Sequence, residues 1–297
     1  MATTTQRGFT TRGQARSSGR DRLMGPAGMA ALYIVLIAGA LATAFPFYYM
    51  LVTSTHRSAT ILRIPPPLWF GDALVTNYNE LLANLPFWNA LWNSVAIATI
   101  HTVLVLFFCS LGGYGFAKFR FPGRDALFAF LLATLMVPGA IGLIPSFIIM
   151  RYLGWIDTWN PLIIPGIANA FGIFWMRQYI DQAIPNDLMD AGRIDGAHEF
   201  RIYWNVVLPV IVPALAALAI LTFIGSWNNF LFPLLILKEE TKFTLPVALS
   251  TLRSLRGTEI GVQILGAAGA ILPILIVFVA ASRQFMSGLT AGAVKGA

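Results

Sequence analysis

Few residues in this chain could do chemistry, and their spacing excludes most reactions. The three histidines, His56, His101 and His198, fall in unrelated segments, and His198-Glu199 lacks the second histidine of a zinc-binding H-E-x-x-H helix. No G-x-S-x-G elbow offers a nucleophile, and no Gly-Lys pair exists to complete a phosphate-cradling G-x-x-x-x-G-K-S/T loop. No enzymatic role, bound cofactor or metal is expected, and any ATP consumed must be handled by another chain. Cys109, the single cysteine, lies in an apolar run, where it reads as a small buried hydrophobe. His101, also within an apolar block, reads as a group that hydrogen-bonds one helix to another.

Two groups of side chains remain. The first is Ile184 to Pro209, the longest of the loops expected on the cytoplasmic side. Pro185 followed by Asn186 and Asp187 makes a helix start, because proline fits a first turn and short acids or amides satisfy its free N–H groups. Asp187 and Asp190 suit the positive end of that helix. Gly192 and Gly196 stand four residues apart, so they share one helical face or break the segment into a helix-turn-helix. Either arrangement leaves a surface without side chains that another protein can approach closely. A solvated loop of helix formers is the plainer alternative. The second group, Trp227, Asn228 and Asn229, offers a stacking face and amide hydrogen bonds suited to sugar rings and hydroxyls. An interfacial tryptophan with two helix-packing amides accounts for them equally well.

The elements that position these residues are set by lipid. Over 297 residues the chain is 57% hydrophobic and 11% charged, with a mean hydropathy of +0.71, which does not fit a water-soluble core. Six apolar segments, about 29–52, 88–111, 126–150, 160–179, 209–237 and 262–283, each approach the ~20 residues a helix needs to cross a bilayer. That length excludes the ~10-residue strands of an outer-membrane barrel, so an all-α bundle of six transmembrane helices is expected. The first segment continues past Ala42-Thr43-Ala44 through Phe45, Phe47 and Tyr48, so it reads as an uncleaved span and not a signal peptide. Prolines at 138, 145, 161, 165, 213, 233 and 273 admit kinks.

The net charge of +7 does not point to nucleic acid, because Lys and Arg lie between apolar blocks and not along one face. It reads as topology. With the amino terminus inside, thirteen basic residues are cytoplasmic, five of them in an Arg-rich tail over residues 1–28 expected to be disordered, and seven are external. Both termini are then cytoplasmic, the tail at 288–297 included, although Lys238, Lys242, Arg253 and Arg256 in the last external loop oppose that bias. The loop 54–87, with Pro65-Pro66-Pro67 before Trp69 and Phe70, reads as an external cap. No inverted repeat or mid-membrane acid relay suggests an ion-coupled carrier, and a non-transporting scaffold would not need the 184–209 segment.

Asp190-Ala191-Gly192-x3-Gly196, nine further residues and Val206-Val207-Leu208-Pro209 resemble the E-A-A-x3-G-x9-I-x-L-P signature of importer permeases in the ATP-binding-cassette (ABC) family. Aspartate stands for the usual glutamate and Gly192 for the second alanine. Arg193 to Ala197, Phe223 to Phe230 and Gly288 to Gly296 are similar to the MalG-like carbohydrate-uptake branch. The resemblance runs from the first span to the last residues. It implies a type I importer permease of the bacterial inner membrane, paired as a heterodimer with a MalF-like sister permease. It further implies two MalK-like ATPase subunits holding MgATP and an extracytoplasmic sugar-binding protein. On this resemblance Asp190, Ala191, Gly192 and Gly196 belong to coupling helices that dock on the ATPase, the tail near Thr290 to Gly296 reaches the ATPase dimer, and the solute is a di- or oligosaccharide. A non-sugar or phosphorylated solute such as glycerol phosphate is the alternative.

Overall fold

The computed structural model describes the backbone of residues 26–254 and 259–294, and side chains over 28–252 and 259–279. The Arg-rich tail and the side chains of the C-terminal tail lie outside the described residues. Every regular element among the described residues is helical. The chain divides into two compact units, 1–49 and 50–297. Of the first unit the described part belongs to α1 (Pro26–Thr53), an apolar helix with Pro46 inside it.

The second unit holds the remaining helices. Short α2 (Ser58–Ile61) and α3 (Leu74–Asn84) precede α4 (Phe87–Lys118), the central helix of 32 residues. α5 (Arg124–Thr134) leads through a 3₁₀ turn at Gly139–Gly142 to α6 (Leu143–Tyr152). α7 (Asn160–Ile163) and α8 (Ala170–Ala183) follow, then α9 (Asn186–Ile194) and α10 (Glu199–Ile202). A π-helical turn at Tyr203–Val207 runs into α11 (Leu208–Val210) and α12 (Val212–Trp227). α13 (Leu231–Ile236), a 3₁₀ turn at Glu240–Lys242, α14 (Leu245–Ser254) and α15 (Ile260–Val294) complete it.

α4 carries a stripe of small and polar side chains inward, including Asn93, Ser94, Ala98, Thr102, Cys109, Ser110 and Gly113. Its outward face is bulky and apolar, with Trp88, Trp92, Val103 and Phe107 exposed. That inversion of the water-soluble pattern is what a lipid solvent selects, since packing between helices favours small residues. α8 and α12 pack on the small stripe. A Cβ on Gly113 would lie 2.6 Å from the Met176 Cβ, and one on Gly172 would lie 2.6 Å from the Cys109 sulfur. Cys109 is therefore the buried small residue expected of it, and His101 joins α4 to α7 by a 2.8 Å hydrogen bond to the carbonyl of Ile163.

Three of the expected segments, 126–150, 160–179 and 209–237, are each broken in the structure. Among the described residues, three helices are long and apolar enough to cross a membrane unbroken: Gly28–Thr53, Phe87–Lys118 and Ile260–Val279. Two more candidates are bent pairs, α5 with the helix after it at 89°, and Glu199–Val210 with α12 at 78°. The segment 160–179, expected to be one helix, is instead α7 and α8 separated by a break. Pro165 supplies no N–H there and Gly166 takes a left-handed φ of 83°, which together end α7 after four residues. The bends follow the same chemistry, with Pro138 in the first and Pro213 at the start of α12 in the second.

Candidate functional site

The segment 184–209 folds as a helical hairpin, α9 and α10. Pro185, extended at ψ 148°, is the N-cap of α9. The helix ends in a motif that fixes the role of one glycine. The N–H of Ala197 bonds to the carbonyl of Gly192 (3.0 Å) and that of Gly196 to the carbonyl of Arg193 (3.0 Å), with Gly196 left-handed at φ +77°. This paired arrangement satisfies orphan carbonyls at a helix C-terminus and favours glycine at the left-handed position. α10 then begins at His198, whose Nδ1 accepts the N–H of Arg201 at 3.2 Å.

The two glycines have different surroundings. A Cβ on Gly196 would meet nothing within 4 Å, so the corner is open. A Cβ on Gly192 would sit 3.2 Å from Ile202, so that clearance is used within the hairpin, where α9 lies against α10. Asp190, Ala191 and Gly196 are exposed, and Met189 and Ile202 turn inward to the core formed by α4, α8 and the π-helical turn. The hairpin also exposes Ile194 (86%), Phe200 and Trp204. Phe200 and Trp204 stack on one another with ring centroids 6.2 Å apart. Sequence reasoning passed over these three, although bulky apolar residues in an otherwise polar segment were the available signal.

The hairpin is tied to α4 by polar contacts. The Arg193 Nη1 donates to Asp190 (2.8 Å) and its Nε to Glu199 Oε1 (2.7 Å). The other Glu199 oxygen accepts from the Tyr114 hydroxyl at 2.9 Å. The hydrogen bond from Arg193 to Glu199 holds the guanidinium pKa above its ordinary value. Tyr203 reaches Ser110 on α4 at 2.7 Å, and because Ser110 already donates to the carbonyl of Phe107, Tyr203 is the donor. Lys118, at the end of α4, donates to the carbonyl of Ile184 and to Asn186 (3.3 Å) at the root of the hairpin. Between them lies a polar cavity of about 540 Å³ lined by Lys118, Arg120, Arg124, Asp181, Asp190 and Arg193.

The second candidate group is split. Trp227 is 3% exposed and stacked on Phe223 at 5.8 Å, so its ring serves packing and has no open face for a sugar. Asn228 and Asn229 are exposed at the break between α12 and α13.

An all-helical chain with several apolar spans, bent helices and an exposed hairpin tied to the central span belongs to the class of multi-pass membrane permeases. Residues 110–286 match the family described as "Binding-protein-dependent transport system inner membrane component", and the chain belongs to that family. Two relatives are similar over most of their length. The arabinooligosaccharides transport system permease protein AraQ of Bacillus subtilis (strain 168) is 37% identical over 85% of this chain and 90% of its own. The lactose transport system permease protein LacG of Rhizobium radiobacter is 38% identical over 89% of this chain and 95% of its own. Among solved structures, a chain of a bacterial ABC transporter involved in the import of the acidic polysaccharide alginate has a TM-score of 0.74 and 26% identity. The match covers 94% of this chain and all of that one.

Proposed function

We propose that this chain is one of two permease subunits of an ATP-driven, binding-protein-dependent importer of di- or oligosaccharides in a bacterial cytoplasmic membrane. It works with a sister permease, two ATPase subunits that hold MgATP and an extracytoplasmic sugar-binding protein. It crosses the membrane six times with both termini cytoplasmic, the broken segment of α7 and α8 counting as one crossing. The chain neither binds nor hydrolyses ATP.

The observation that carries this reading is the α9–α10 hairpin, with Asp190, Ala191 and the Gly196 corner on its open face beside exposed Ile194 and Phe200. That face docks on the ATPase, and a solvated loop has no use for it. When the ATPase subunits close, the hairpin is displaced and the attached helices tilt, which alternates access to the pathway. Solute contact by Asn228 and Asn229 belongs to the same proposal, and Trp227 supports their backbone from the core. Oligosaccharide and lactose in the names of relatives at 37–38% identity favour a sugar over the phosphorylated alternative.

The test is Gly196→Asp in the reconstituted complex. Aspartate carries some strain at a left-handed φ but is among the side chains that adopt it most often, and no atom obstructs it at the corner, so the hairpin is expected to keep its fold while its docking face gains a charge. Sugar-stimulated ATP hydrolysis and uptake are expected to fall at least tenfold. Wild-type values for both would remove the docking face from this reading.

A further inference from the structure

Resting on that reading, we propose that Glu199 and Tyr114 are positioning residues that carry hairpin motion into α4. The relay Arg193–Glu199–Tyr114 is the element by which a displacement at the docking face becomes a displacement of the central membrane helix.

The geometry supports a relay in three ways. First, Glu199 is shared: one oxygen holds Arg193, which also holds the exposed Asp190, and the other accepts from Tyr114. Any partner group that engages Asp190 therefore acts on an arginine already bonded to the acid that grips α4. Second, the far end is rigid. Tyr114 is 4% exposed, with its ring against Phe119 at 5.3 Å and Tyr203 at 5.6 Å, so a pull on its hydroxyl acts on a packed helix and not on a mobile side chain. Third, the hairpin is secured to the same helix at its other root, where Lys118 holds Ile184 and Asn186. Fixed at entry and exit, the hairpin moves together with the C-terminal half of α4. Hydrogen bonds to charged groups are the stronger kind, and a bridging carboxylate loses both partners at once when it is removed.

The experiment measures sugar uptake and ATP hydrolysis on the same proteoliposomes holding the complete complex, for Tyr114→Phe, Glu199→Gln and the double variant. Tyr114→Phe keeps the ring packing and deletes one hydrogen bond. Glu199→Gln keeps the shape and deletes the charge. Either variant is expected to lower sugar moved per ATP hydrolysed about tenfold, the equivalent of about 1.4 kcal/mol and of one charged hydrogen bond. Complex assembly and basal hydrolysis are expected to stay at wild-type levels, and the double variant to be no worse than the more damaging single one. An unchanged ratio in both single variants overturns the relay. A parallel fall of uptake, hydrolysis and assembled complex also overturns it, since the network would then only hold the fold. Gly196→Asp in the same assay separates the two ideas: if it abolishes stimulation while the Tyr114 and Glu199 variants keep the wild-type ratio, docking stands and only the relay falls.

Discussion

At the scale of single residues, the best-defined polar cluster lies away from the hairpin, where the 54–58 turn meets α3 and the start of α15. Asn77 is fully buried, and its amide donates to the carbonyls of Ser54 (2.8 Å) and His56 (3.0 Å). Arg57 pairs with Glu80 at 2.7 Å and Glu259 at 3.3 Å, and Glu259 accepts the N–H of Ser58 at 2.6 Å. Gly261 closes the cluster: a Cβ there would stand 2.0 Å from the His56 carbonyl oxygen and 2.6 Å from the Asn77 amide nitrogen. Gly261→Ala is expected to cost about 1–3 kcal/mol through overpacking and to lower the thermal unfolding midpoint of the detergent-solubilised complex. A midpoint equal to wild type would mean the backbone yields there. None of this cluster was legible in the sequence, because Arg57 and Glu259 lie some two hundred positions apart and neither sits in a motif. The residues proposed to dock could be picked out as a pattern, because Asp190 and Gly196 lie within one short segment. What the sequence could not separate was the work of the two glycines, since contact with Ile202 and a left-handed φ are properties of the folded chain.

At the scale of elements, the apolar lengths of α1, α4 and α15 were readable, because hydropathy over twenty residues reports lipid burial directly. The break between α7 and α8 was not: composition measures how apolar 160–179 is, whereas Pro165 and Gly166 decide whether it is one helix. The interface that organises these elements is the crossing of α4 and α8, where Gly112 and Gly113 meet Ile173 and Met176. At Gly113 an added Cβ would also come 2.8 Å from the Arg177 backbone nitrogen, which cannot move without moving α8. Gly113→Leu is therefore expected to separate the two helices and to reduce assembled complex severalfold, measured by co-purification of the partner subunits. Gly115→Leu, on the same helix at a position with open space, serves as the comparison and is expected to assemble normally. Equal yields from both would remove the crossing from this role.

At the scale of the whole molecule, distant segments are held by a few polar staples. Asp157, left-handed at φ 61°, accepts from the N–H groups of Lys238 (2.8 Å) and Glu239 (3.1 Å) and from the Lys242 ammonium (2.8 Å). The same loop is held on α4 by Asn93, which donates to the carbonyls of Thr241 and Phe243. The Lys242 hydrogen bond and the two backbone donors bring the Asp157 carboxyl down to about 2. A lowered carboxylate pKa stabilises the fold above the ordinary value near 4 and loses that contribution as pH falls through about 2. Asp157→Asn is thus expected to lower the unfolding midpoint by the same amount at pH 8 and pH 5, with the deficit shrinking only below about pH 4. A deficit that changed between pH 8 and 5 would assign it to another group. The bend between α10–α11 and α12 has its own mechanical meaning. Because the two axes meet at 78°, a thrust along the first arrives at the head of the second almost entirely as a sideways load. If closure of the ATPase pushes the hairpin as proposed, the π-helical turn and the break ahead of Pro213 act as the corner of a crank, and a short linear stroke becomes torque on α12.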